Sequence, residues 1–216
     1  ITVISADGEQ SVLVQREVDD RKEVGDFIAY YSFDRGSGDT VVDRSGNGND
    51  GTADGGYSRT GSCMDFDGTS GSHVDIGDLT LDGPDSVDEL TVAITYQHDG
   101  TGSGIQNLIE HQDSRFAWYI ETPRDRGGDP HQMKFNIGWT DPPIAEISTP
   151  DTPAQETQVL VGTYDGEQMA LYRNGEQIDR KALDREVQLG QVILAADSNP
   201  SIQNLDGQLC EVRLYY

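Results

Sequence analysis

Asp43, Ser45, Asn47 and Asn49 place an oxygen-bearing side chain at every second position around Gly46 and Gly48, and Asp54 stands at the twelfth position counted from Asp43. A hard cation such as Ca²⁺ takes about six to eight oxygens from carboxylates, amides and backbone carbonyls, and glycines let carbonyls turn inward. The spacing is partly that of a helix-flanked calcium loop, but no helical periodicity flanks it. The same residue types also build a glycine-rich turn whose Asp and Asn side chains bond their own backbone. Both readings stand at the level of the sequence.

A second set of residues could recognise a sugar. Trp118, Trp139, His111 and Arg115, with Tyr96, Tyr119 and Asn136, fall on strands or turns where rings could stack on a sugar and polar groups could read its hydroxyls. Trp118 and Trp139 are residues that a sandwich more often places in its core. The signatures of catalysis are absent. No Glu-x-Asp-x-Glu strand occurs, Glu110 and Asp113 straddle a turn, and no Gly-x-Ser-x-Gly elbow is present. The histidines, His73, His98, His111 and His131, have no zinc-ligand spacing. The chain is therefore read as no enzyme.

The elements that must position these residues are strands. Short apolar runs separated by turns every 8 to 15 residues, without 3.6-residue periodicity, define an all-β fold. The runs are 27–34, 62–66, 73–76, 90–97, 107–111, 116–122, 132–137, 156–164, 169–173, 176–183, 192–196 and 209–216. That number of strands stacks most economically as two sheets. Asp165-Gly166 and Asn174-Gly175 read as hairpin turns. The segments 122–130 and 141–153 read as loops. Ahead of this domain, residues 1–18 form two strands around Asp7-Gly8 with Val12, Val14 and Val18 on one face, and 19–26 is a charged linker. The division is thus 1–26, an N-terminal β arm and linker, and 27–216, one domain.

The 216 residues carry 39 acidic against 15 basic side chains, a formal charge of −24, with only Lys22, Lys134 and Lys181 as lysines. Phosphate binding needs a basic surface, so nucleic acid is not expected as a partner. Such a surface repels itself at low salt and is screened in molar salt, where the Debye length is about 3 Å. Abundant Asp with scarce Lys matches a halophilic, archaeal type of composition. No apolar stretch approaches the roughly 20 residues that span a bilayer as a helix. The chain begins at Ile1, as expected after removal of a leader and equally for a chain cut at a domain boundary. Cys63 and Cys210 either pair, which would point to an oxidising, extracellular setting, or stand as two buried thiols.

Six segments in order, YYSFD, VVDRSGNGNDGTA, GSCMDFDG, VLVGTYDGEQMALYRNGEQI, AADSNP and LDGQLCEVRLYY, resemble the laminin G-like (concanavalin A-like lectin/glucanase) jelly-roll domain over about residues 27–216. The resemblance implies two antiparallel sheets with the first and last long strands as neighbours. It also implies a structural calcium held by the Asp43 loop, with Asp43, Asn47 and Asn49, and by Glu211 of the last strand. The acid usual before that glutamate is replaced by Cys210, so Asp34 or Asp54 would have to complete the set. Cys63 also departs from the pattern, and the two departures together imply a disulfide. The expected function is a non-catalytic, lectin-like cell-surface adhesion module of a halophile, binding glycan or protein. The alternatives are a subunit of a surface filament or virion that self-assembles by donating its arm, and a glycan-active enzyme or its carbohydrate-binding module.

Overall fold

The computed structural model describes residues 2–6, 9–13, 27–34, 37–79, 86–100, 104–111, 118–122, 132–138, 144–151 and 153–216. The Asp7-Gly8 turn, Val14, Val18 and the linker 19–26 lie outside these residues, as do Asp113, Arg115, His131 and Trp139. Among the described residues every regular element is a strand. Two antiparallel sheets of eight strands each form the sandwich that the alternating pattern predicts.

The first sheet runs in space through β17 (Glu176–Ala182), β16 (Gln168–Arg173), β15 (Gln158–Tyr164), β10 (Leu90–His98), β20 (Asp206–Tyr215), β7 (Cys63–Asp67) and β6 (Tyr57–Thr60). β3 (Phe27–Tyr31) also pairs with β20, so the first and last strands of the domain are neighbours. The second sheet runs through β14 (Ala145–Ser148), β13 (Lys134–Ile137), β12 (Trp118–Glu121), β11 (Asn107–His111), β19 (Gln191–Leu194), β8 (His73–Asp78), β5 (Gly51–Asp54) and β4 (Thr40–Val41). β18 (Val187–Gln188) pairs with β9 (Ser86–Val87), and β1 (Thr2–Ala6) pairs with β2 (Glu9–Leu13) as a separate hairpin.

One apolar core fills the space between the sheets, with Ile28, Tyr31, Val92, Ile94, Leu160, Leu209 and Val212 from one side and Val74, Leu108, Trp118, Ile120, Phe135 and Leu194 from the other. The sheets approach closely at Gly162, where an added Cβ would lie 2.8 Å from the Phe135 ring, so only glycine fits. Asn174 and Gly175 both take positive φ, as a two-residue type I′ hairpin turn requires.

One sequence expectation changes: segment 141–153 was expected as loop but contains edge strand β14. The Asp43 loop runs directly into β5, where Asp54 is an exposed strand residue whose Oδ1 accepts the Gly55 N–H.

β20 changes partner along its length. It pairs with β7 at Asp206–Leu209 and with β3 at Val212–Tyr215, and a bulge in the β10 register leaves Cys210 at the changeover. Cys63, beside the Met64–Leu209 pair, bonds to Cys210 across these strands with a Cα separation of 3.9 Å. The cross-link fixes β7 to β20 where the ladder is interrupted.

Candidate functional site

The four residues expected around calcium separate into two groups. Asp43 is buried, and both its oxygens are occupied: Oδ1 accepts the N–H of Tyr30 at 3.0 Å and of Ser45 at 2.9 Å, and Oδ2 accepts the Ser45 hydroxyl at 2.7 Å and the Asn49 N–H at 3.0 Å. Asn47 and Asn49 donate their amide N–H groups to Ile28 O at 3.0 and 2.9 Å, and Arg44 N–H bonds Tyr30 O at 2.7 Å. Tyr31 completes the arrangement by donating its hydroxyl to Asn49 O at 2.6 Å. Burial, and then the charges of Asp43 and Asp50, hold that hydroxyl far above the ordinary tyrosine range, so it stays a donor.

Glu211 stands apart from this loop. Its carboxylate pairs with Arg213, Nε to Oε1 at 2.8 Å and Nη2 to Oε2 at 2.8 Å, and accepts the Tyr30 hydroxyl at 3.3 Å. Arg213 and Arg44 both lie over the Tyr30 ring, at 5.0 and 5.4 Å from its centroid. The loop residues as they stand do not fit a cation: the carboxylate is saturated by donors, the amides present nitrogen to carbonyls, and Glu211 already faces a guanidinium. An Asn amide turned the other way would set oxygen against oxygen at these distances, which only a cation could hold. Among the described residues no three His, Cys, Asp or Glu side chains gather as a metal site. What the loop does in this arrangement is cap the outer edge of β3, an edge otherwise open to pairing with another chain.

Trp118 corrects another expectation. It pairs with Ile137, lies wholly in the core and donates its Nε1–H to Gln188 O at 2.9 Å, so it offers no stacking face. Tyr96 is a core residue of the first sheet. His111 is buried beside Trp118, with Nδ1 at 3.1 Å from Gln191 O. Arg115 and Trp139 lie outside the described residues.

The alternation that sends Trp118 inward sends its neighbours outward. Tyr119 and Glu121 on β12, Lys134 and Asn136 on β13, and Glu110 on β11 lie outside the core cluster, on the outer face of the second sheet. Cross-strand pairing lines them up. One row reads Glu146, Asn136, Tyr119, Glu110, Ile193, Asp75, Thr52, and beside it runs Ser148, Lys134, Glu121, Asn107. The first row spans six strand spacings, about 29 Å.

Its middle is buried although polar: Glu110, Tyr119 and Asn136 are each 1% exposed, whereas Glu146 and Thr52 at the ends are exposed. Lys134 Nζ reaches Glu146 at 3.1 Å and Asn107 Nδ2 donates to Glu110 Oε2. Asn136 Nδ2 and Asn107 Oδ1, both fully buried, meet no hydrogen-bond partner among the described residues. A buried orphan costs about 1–3 kcal/mol, so each of these two groups calls for an explanation.

Sequence reasoning named Tyr119 and Asn136 but missed Glu110 as a partner of this row, Glu121, Lys134 and Asn107. Polar residues at alternate positions of otherwise apolar strands, as in Lys134-Phe135-Asn136-Ile137, were the available signal.

A family profile described as the concanavalin A-like lectin/glucanases superfamily matches residues 67–216. Among curated proteins none matches. Among solved structures, a botulinum neurotoxin serotype D binding domain superposes with a TM-score of 0.68 at 12% identity, covering 88% of this chain and 47% of that one. Domain 4 of AbnA, an extracellular arabinanase of family GH43 from Geobacillus stearothermophilus, in complex with arabinotriose, gives a TM-score of 0.66 at 19% identity, covering 88% and 92%. The chain thus spans about half the length of the toxin domains it resembles and nearly the whole of the arabinanase domain. At these identities the likeness is one of fold.

Proposed function

The chain belongs to the concanavalin A-like lectin/glucanase superfamily, and from that premise we propose that it is a non-catalytic, extracellular recognition module that binds a glycan on the outer face of its second sheet. The observation that carries the proposal is the pair of orphaned, fully buried groups, Asn136 Nδ2 and Asn107 Oδ1, within a polar row across the sheet. Sugar hydroxyls donate and accept at once, so one ligand answers both. The arabinotriose-bound arabinanase domain and the toxin binding domains, which share the fold, support a binding role over a catalytic one. The Cys63–Cys210 disulfide supports an oxidising, extracellular setting, and the charge of −24 with three lysines supports work at the surface of a halophilic cell.

The test is a glycan array read in molar salt with the protein and with Asn136→Ala. Selective binding that the substitution weakens supports the proposal, and an array without selective binding overturns it.

A second reading, assembly into a surface filament by strand donation, is favoured by the arm: β1 and β2 pair with each other and with no other described strand. Its acceptor edge would not be β3, which the Asp43 loop caps. Electron microscopy of the protein with and without residues 1–18 tests it. Filaments that vanish on deletion support donation, and filaments that survive, or none in either form, overturn it.

A further inference from the structure

We infer that the N-terminal hairpin of β1 and β2 docks on the outer face of the first sheet of its own chain, as a third layer over Ala93, Val159 and Val161. These three residues form an apolar cluster separate from the core between the sheets. They alternate along β10 and β15 with Val92, Ile94 and Leu160, which belong to that core, so they lie on the sheet's outer side. Yet Ala93, Val159 and Val161 are only 7%, 5% and 1% exposed. An open sheet face meets water, so outward valines this well shielded call for a cover. Among the described residues the hydrophobic side chains packed on the cluster are Tyr172 and Tyr215, both of which keep some surface open themselves.

The hairpin needs such a face. Two strands alone are marginal in water, and β1 and β2 pair with each other and with no other described strand. Their register makes Val3 and Val12 partners, which places both valines on one side of the hairpin. The chain also enters the domain on the face in question. Phe27, where β3 begins, has its ring centroid 4.8 Å from that of Tyr215 and 5.4 Å from that of Tyr30, and Tyr215 borders the cluster. Residues 14–26 reach at most about 45 Å when extended. The four strand spacings from β3 to β16 amount to about 19 Å.

Size and charge agree with this occupant. Paired strands of five residues cover about 17 by 10 Å, and the row Tyr30, Arg213, Ala93, Val161, Tyr172 crosses the same four spacings. In this row and the two beside it, Glu211 is the one carboxylate among the described residues, and Arg213 holds it at 2.8 Å. A chain of net charge −24 thus keeps its acids off this face, where tyrosine and arginine stand as they do at protein interfaces. A short tether gives the chain's own hairpin a millimolar-order effective concentration, ahead of any neighbour's in dilute solution. Docking of the arm is independent of glycan binding on the second sheet, and it competes with donation to a neighbour.

The test uses the full chain in molar salt, diluted until light scattering gives the mass of one copy. NMR follows the Val159 and Val161 methyl groups as a neutral, soluble gadolinium chelate is added. The methyls should be protected in the full chain and should lose that protection when residues 1–18 are deleted. Should circular dichroism show that the shortened chain does not fold, Val3→Asp, which lies in the hairpin and outside the sandwich, gives the same reading with the arm present. Amides of β1 and β2 should exchange at least about tenfold more slowly in the full chain than in a peptide of residues 1–18. Methyl protection that survives removal of the hairpin overturns the inference, because the tyrosines then suffice as cover. Amide exchange equal to that of the peptide overturns it as well. Protection that appears only as copies associate overturns it in favour of a neighbour's arm.

Discussion

Asp43 accepts the backbone N–H of Tyr30 at 3.0 Å, so a loop carboxylate closes the outer edge of the domain's first strand. Its four accepted bonds make the loop and β3 one unit. Asp43→Ala leaves the N–H groups of Tyr30, Ser45 and Asn49 without that acceptor in a buried place, and should cost about 2–4 kcal/mol. Chemical denaturation measures this directly. A loss below about 0.5 kcal/mol would show that the cap contributes little.

Calcium gives a second test of the same loop. With its carboxylate saturated and its amides donating to Ile28 O, the loop should show no heat on calcium titration and a Tm shift under about 1 °C between chelator and calcium. A rise of several degrees would mean that the Asn47 and Asn49 amides turn over and the loop becomes a calcium cradle.

Cys63 and Cys210 close a loop of sequence separation 147 at the point where β20 exchanges β7 for β3. Reduction, or Cys63→Ser with Cys210→Ser, should lower stability by about 2–5 kcal/mol. Unchanged melting in reductant would show that the strand ladder alone holds β7 in place.

Asp99 is held above the ordinary carboxylate range, first by burial and then by the charges of Asp206 and Asp65. A raised folded-state pKa means that the ionised form is disfavoured by folding, so its cost is present at neutral pH and is relieved as pH falls through the folded value. Asp99→Asn should therefore raise Tm at pH 7. The gain should shrink in acid and, for the part owed to Asp206 and Asp65, in high salt. An equal gain at pH 7 and well below the carboxylate range would contradict this assignment.

Alternation of apolar side chains was strong where both sheets bury a face, and those strands were legible in the sequence, whereas the β3–β20 neighbourhood and the Cys63–Cys210 pair came from the family resemblance, the residues alone leaving the thiols paired or free. β14 was not legible, because Ala145 and Ile147 are its only inward residues and a four-residue edge strand carries too short a pattern. β6 alternates between half-buried and exposed positions but buries none fully, so its four residues mark no core face in the sequence. The candidate site was legible only in part for a different reason. A one-residue change of parity exchanges faces: Trp118 was placed with the ligand and belongs to the core, while Tyr119 and Glu121 beside it stand on the outer face. The register bulge between Asn107 and Ile109 hid Glu110 in the same way. Bulges are set by cross-strand pairing, which no single strand's sequence displays.

The most direct measurement follows the Asn136 side-chain amide by NMR while an oligosaccharide selected on the array is titrated into the protein in molar salt. The account predicts that the two Nδ2 proton resonances move progressively to saturation, with the same Kd as the bulk affinity, and that Asn136→Ala weakens that affinity by about tenfold or more. Saturating binding that leaves those resonances in place, with shifts confined to the first sheet or to the Asp43 loop, would contradict it.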